Sequence, residues 1–315
     1  MSAADTPYKF TSLRTLVAEI RWTAARWVTM LAEVDVRIHP SAAGFRDLAA
    51  PLYQRDRVGN TIELTLLRSD TNFGDDALLL SVWDGDEVVG VALQTPPYPL
   101  ACNGLPLSTH RAVAEALAVT RPELNGVRGN RDLALAFAGA WHAATGRPAA
   151  VEMEERLYRL GTLRAPSVSG EHREATADDT AGDTALLVDW IERFFVETSS
   201  RLRDRAAAQR YVDNARAVGD RFLLWEDGGA PVSVAMLRAP AAGVSRVGPV
   251  FTPRHARGHG YGSAVTAAAA DTALREGVDD VVLFADLANP TSNAIYQRIG
   301  FEPVGDSVRM GFTTG

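Results

Sequence analysis

Residues 252–273, TPRHARGHGYGSAVTAAAADTA, set glycines at 258, 260 and 262 against the start of an alanine-rich stretch. Without a Cβ to block close approach, such a loop can turn several backbone N–H groups toward one point. A helix that starts there adds its own unpaired N–H groups and the positive end of its dipole. Together they predict an anion site whose usual guest is a phosphate. Further along, Asp286, Asn289, Asn293 and Tyr296 offer side chains that could act on whatever the loop holds. Asn293 and Tyr296 are three residues apart and share one helix face.

Known phosphate loops divide the possibilities. A G-x-x-x-x-G-K-[ST] loop fails, because the only lysine in the chain is Lys9. A dinucleotide loop would need G-x-G-x-x-G opening a βαβ unit with an acid ending the next strand. Asp286 imitates that acid, but the glycines run G-x-G-x-G and too little chain follows to complete such a domain. His255 and His259 have a metal-like spacing, yet Gly258 interrupts any helical pair and no carboxylate adjoins them, so no metal site is expected.

The elements that must carry these residues can be read from periodicity and punctuation. Strands are expected at His172–Ala175, Phe222–Trp225, Val232–Leu237, Val244–Phe251, Val281–Ala285 and about 307–312. Helices are expected through Leu186–Phe195 and over about 203–216, 262–276 and 291–299, the last two stopped by Gly277 and Gly300. The fold class is α/β, a mixed α+β sheet with helices on its faces. An earlier part of the chain echoes this plan. WDGDEVVGVALQTP from Trp83 parallels WEDGGAPVSVAMLRAP from Trp225, and Leu157–Gly161 parallels Ile295–Gly300. The stretch 164–184, short of large apolar residues, marks a boundary near 165. Three regions follow: an amphipathic helical extension over 1–34, an N-terminal domain over 35–165 and a C-terminal domain over 166–315. The first half has PYPLACNGLPLST where the second has its glycine loop, so one anion site per chain is expected.

Composition narrows the setting. The chain of 315 residues is 46% apolar and 23% charged, as in soluble globular proteins. A net charge of −7 disfavours nucleic acid and anionic membranes as partners. Cys102 is alone, which excludes a disulfide framework and fits a reducing, cytoplasmic compartment. Leu13, Leu16, Val17, Ile20, Trp27, Val28 and Leu31 form one apolar helical stripe. Charges at Glu19, Arg21 and Arg26 make it a surface for its own protein or for a homodimer, not a membrane span.

Arg257-Gly258-His259-Gly260-Tyr261-Gly262 matches R-x-x-G-x-G and resembles the acyl-CoA pyrophosphate loop of the GNAT superfamily of N-acyltransferases. The resemblance covers about 170–315. GPVFTPRHARGHGYGSAV looks like that superfamily's fourth strand, loop and third helix, and LFADLANPTSNAIYQRIGFEPV like its fifth strand, following helix and last turn. The two-half plan resembles tandem members such as the mycothiol synthases, here with a degenerate first half.

The resemblance implies two GNAT-like domains, each a mixed, mostly antiparallel sheet flanked by helices. It also implies an acetyl-CoA-dependent N-acetyltransferase that transfers the acyl group to a primary amine of a small molecule by direct attack. Cofactor contacts would come from Val250, Phe251, Thr252, Arg257, Gly258, His259, Gly260, Tyr261, Gly262, Ser263, Asn289 and Asn293. The N–H of Val250 or Phe251 would polarise the thioester carbonyl. Tyr296 would donate its proton toward the departing thiolate, if it is not simply a core tyrosine. Asn289 reads equally as the residue that starts a helix at Pro290. An alkyl ammonium must lose a proton before it attacks, at a cost of about 4 kcal/mol near neutrality. The strand Val244–Phe251 has no acid to take it. Asp286 is the catalytic candidate, Glu226 an alternative, and a water chain or a weakly basic amine would also serve. A non-catalytic acyl-CoA sensor or assembly subunit would keep the loop without the chemistry. The net acidity favours a cationic small acceptor.

Overall fold

In the computed structural model, residues 34–69, 73–177, 182–199 and 202–313 are described. The amphipathic stripe expected at 13–31 lies outside them. The N-terminal half runs β1 (Asp35–Ile38), α1 (Ala42–Tyr53), α2 (Thr61–Leu67), β2 (Leu78–Asp84), β3 (Glu87–Gln94), β4 (Leu100–Ala101), α3 (His110–Thr120), β5 (Gly126–Asn130), α4 (Arg131–Thr145) and β6 (Ala149–Leu160). The C-terminal half repeats it as β7 (Glu171–Glu174), α5 (Asp183–Ser199), α6 (Arg205–Ala217), β8 (Arg221–Asp227), β9 (Ala230–Leu237), β10 (Val244–Phe251), α7 (Tyr261–Arg275), β11 (Asp280–Asp286), α8 (Pro290–Arg298) and β12 (Phe301–Phe312). The mixed α/β class is as expected, and β10 has the bounds read from sequence. The last strand differs: it begins at Phe301, six residues before the expected 307, and a register shift between Pro303 and Gly305 leaves Val304 outside the ladder.

All the strands join one 12-stranded sheet in the order β1-β2-β3-β4-β5-β12-β6-β11-β10-β9-β8-β7. The halves exchange their last strands. β12 lies between β5 and β6, and β6 lies between β12 and β11. The connection 161–170, which overlaps the stretch 164–184 poor in large apolar residues, therefore links two units that each complete the other's sheet. Alternation along the strands feeds separate apolar layers. One packs α3 and α4 around Phe137 and Trp141, and another packs α7 around Val265 and Ala269. On the opposite face α1 and α2 cover Leu79, Val91 and Leu93, while α5 and α6 cover Phe222, Leu224 and Met236. Among the described residues, no helix is long and apolar enough to cross a membrane.

Candidate active site

The glycine loop begins where β10 ends. A short 3-10 turn, Arg254–Ala256, leads to Gly258 and Gly260, whose φ angles are +84° and +83°. Both lie in the left-handed region that glycine alone enters freely. Gly260 is the residue before α7, and its carbonyl accepts from the Ala264 N–H at 3.0 Å. The N–H groups from Gly258 to Ser263 donate to nothing among the described residues. The loop is fixed from behind. Thr252 Oγ1 meets Ser233 Oγ at 2.8 Å, the Tyr261 hydroxyl donates to Asp227, and His259 stacks on Tyr261 with ring centres 5.5 Å apart. Arg257 donates to the Thr252 carbonyl at 2.9 Å and to Glu197 of α5, so its charge is directed onto α5 and the run of N–H groups carries the site.

Beside the loop the sheet opens. β10 pairs with β11 from Val244↔Asp280 to Arg246↔Val282 and no further, although β11 continues to Asp286 against β6. From Val247 onward β10 holds only β9, with a bulge between Val247 and Val250. Pro249 has no N–H to offer a ladder. N–H directions alternate along a strand, so one of Val250 and Phe251 points its donor away from β9, toward the opening.

Tyr296 on α8 packs against the same apolar layer as Val250, with its ring 6.5 Å from Tyr158 and 6.3 Å from Phe301. Burial pushes its hydroxyl up to about 12, so it stays a proton donor. Asn289 caps α8 by accepting from the Ser292 N–H at 3.0 Å. The Asn293 side chain is occupied: it donates to the Asp286 and Asn289 carbonyls at 2.8 Å each and accepts from the Tyr158 hydroxyl at 2.8 Å. Both asparagines shape the turn between Asp286 and Tyr296.

Asp286 lies on the sheet face opposite Tyr296. It shares that face with Val282, Phe284 and Leu157, and one oxygen accepts from the Ala288 N–H at 2.8 Å. Four residues past the Arg246↔Val282 pair, it stands roughly level with Val250 across the opening. Its neighbour across β6 is Glu155, a second carboxylate that sequence reasoning missed. Only the strand exchange brings Glu155 there, and nothing local to its sequence marks it. Glu226 is committed elsewhere, 2.7 Å from Arg173, which also clamps Asp183.

The matching turn of the first half is closed. Leu105, Thr109 and His110 are buried, the Thr109 N–H donates to the Pro106 carbonyl, and the His110 ring reaches the Leu105 carbonyl at 3.2 Å.

The parted strands thus lead straight into a run of unpaired N–H groups at a helix start. Residues 184–301 match the acetyltransferase (GNAT) family. The chain is 33% identical over 96 residues to a mycothiol acetyltransferase of Beutenbergia cavernae, a match spanning 29% of this chain and 32% of that protein. Solved structures of similar fold cover nearly all of it. A GNAT-family acetyltransferase from Colwellia psychrerythraea superposes with TM-score 0.59 at 11% identity, over 89% of this chain and all of that one. A tandem GNAT protein from the clavulanic acid biosynthesis pathway gives 0.56 at 15% identity, over 89% and 98%. Residues 184–301 thus form a GNAT-type domain, and a solved tandem GNAT structure shares the fold of most of the chain.

Proposed function

We propose that the protein is an acetyl-CoA-dependent N-acetyltransferase that acylates a small-molecule amine by direct attack. The observation that carries this reading is the run of unpaired N–H groups from Gly258 to Ser263, beside strands that part at Val247. The backbone groups suit a pyrophosphate, because they supply directed donors without a cation that would need its own desolvation. The opening beyond Val247 admits an extended arm alongside β10. The bound co-substrate supplies a thioester.

The chain's own groups then divide the work by sheet face. The outward N–H at Val250 or Phe251 donates to the carbonyl oxygen as it gains charge. On one face Asp286, with Glu155 beside it, takes the proton of the attacking ammonium. On the other, the Tyr296 hydroxyl gives its proton to the leaving sulfur. The test is thiol release from acetyl-CoA with a panel of amines, beside thermal melts with and without acetyl-CoA. Stabilisation by acetyl-CoA together with amine-dependent thiol release supports the reading. Stabilisation without turnover on any amine makes the protein a sensor, and no stabilisation overturns the assignment of the loop.

A further inference from the structure

Alternation along β10 puts Arg246 on the face that carries Val244, Val282 and Asp286. Tracing the register through β11, β6, β12 and β5 puts Arg128 on that face too. The twist of the sheet brings the halves together over it: α2 touches β10, and Arg57 pairs with Asp279 and Asp280 at 2.7 and 2.8 Å. The two arginines converge beside Glu63 of α2, whose buried carboxyl feels both charges.

The cluster is short of negative charge. Asp220 is the partner of Arg238, at 2.8 Å. Burial raises the Glu63 carboxyl toward its neutral form, and Asn103 already donates to it at 3.3 Å. Neither Arg128 nor Arg246 has a side-chain hydrogen bond or an ion pair among the described residues, and Nη1 of Arg246 is buried without a partner. Beside them Glu63 Oε2, Thr61 Oγ1 and Tyr53 OH are also buried and unpaired. Burial and the charges of Arg238 and Arg128 push the Arg246 guanidinium down to about 9, still protonated at neutral pH. Arg246 is partly buried, and leaving its enclosed Nη1 unpaired is costly, a cost that folded proteins tolerate at sites completed by a ligand.

Arg246 stands at the apex where β10 and β11 part, on the face of Asp286. Val250 lies about 13 Å further along the strand, a span that an arginine side chain and a small substrate bridge together. We propose that Arg246 and Arg128 anchor an oxyanion group of the acceptor, so that the substrate is an acidic or zwitterionic amine, not a polyamine. This rests on the acyltransferase reading above and replaces the cationic acceptor that net charge favours.

The experiment compares thermal melts of the full chain with malonate or inorganic phosphate on the wild type, Arg246→Met, Arg128→Met and Gly260→Val. Both anions are screened because a carboxylate and a phosphate present the same oxygen acceptors, and the larger shift identifies the source. The wild type and Gly260→Val should be stabilised by at least one anion, and both arginine variants should lose that shift. Arg246→Met without ligand should melt no lower than the wild type, since it removes an unpaired charge. Equal shifts in all four proteins, no shift in the wild type, or a loss confined to Gly260→Val overturns the proposal. If amines give thiol release, glutamate should exceed glutamine α-amide in kcat/KM by at least about 10-fold, one well-made ionic contact, and Arg246→Met should erase the preference. If no amine gives thiol release, the acyltransferase reading fails, and the malonate and phosphate shifts still decide the anion site.

Discussion

The Tyr296 ring packs near those of Tyr158 and Phe301 in the apolar layer that Val250 also joins, and that setting has a kinetic signature. Its proton is lost only near 12, so the group stays a donor throughout the range in which an enzyme can be assayed. Tyr296→Phe should lower kcat roughly 10- to 100-fold, the low end for proton transfer by a side chain, with little change in acetyl-CoA affinity. The ratio of wild type to variant should also stay flat up to about pH 10, because no titration of Tyr296 intervenes. A steady-state pH profile of both proteins measures this. Unchanged kcat under chemistry-limited conditions leaves Tyr296 as packing alone. Tyr296 and Asp286 were legible as candidates because they lie in LFADLANPTSNAIYQRIGFEPV, where a strand end, a helix start at Pro290 and a stop at Gly300 are all marked locally. Glu155, Arg128 and Arg246 were not. Their neighbours are more than a hundred residues away or on another strand, and a local pattern reports a face, never who sits across it.

At the scale of elements, the proposed anion cradle depends on two glycines at the start of α7. Gly260→Val places a branched side chain at φ +83°, with its Cβ 3.0 Å from Val168 Cγ2. The strained turn should cost about 1–3 kcal/mol of stability, while the ligand-induced rise in Tm disappears. Melts with and without acetyl-CoA check it, and a full shift in the variant would show that the glycines merely turn the chain. The start of α5 is pinned differently. Arg173 of β7 grips both oxygens of Asp183, at 2.6 and 2.9 Å, and the Thr176 N–H donates to it at 2.8 Å. Those bonds hold the Asp183 carboxyl below its usual range despite its burial. Its stabilisation is therefore complete above the ordinary carboxylate pKa of about 4 and is lost as pH falls through the lower folded value. Asp183→Asn should cost about 1.5–3 kcal/mol at neutral pH, and this deficit should shrink in acid. Urea unfolding of both proteins at pH 7 and pH 3 reads it, and a deficit that does not shrink contradicts the assignment. Elements such as α7 and α8 were readable because Gly277 and Gly300 stop them. The start of β12 was not, since Pro303 and Gly305 break the alternation just where a bulge absorbs them.

For the whole molecule, the strand exchange decides whether a half can stand alone. A fragment of residues 166–315 keeps β11 and β12 but loses β6, which pairs with both. β12 cannot take the vacated place, because it runs antiparallel to β6 and hence parallel to β11, whereas β6 is antiparallel to β11. The fragment would expose the edge of β11, with Val282, Leu283 and Phe284 on it, and both edges of β12. A fragment of residues 34–165 would likewise leave β5 and β6 without the strand between them. Long unpaired apolar edges promote association. Each fragment alone should therefore be aggregated or lack a cooperative melt, and co-expression should recover a heterodimer that acetyl-CoA stabilises. Size-exclusion chromatography and thermal melts of the separate and co-expressed pieces measure this. A monomeric 166–315 fragment that melts cooperatively and is stabilised by acetyl-CoA would show that the second half needs no strand from the first. It would also remove the reason for Glu155 to stand beside Asp286, since β6 would then be dispensable to the site it lines.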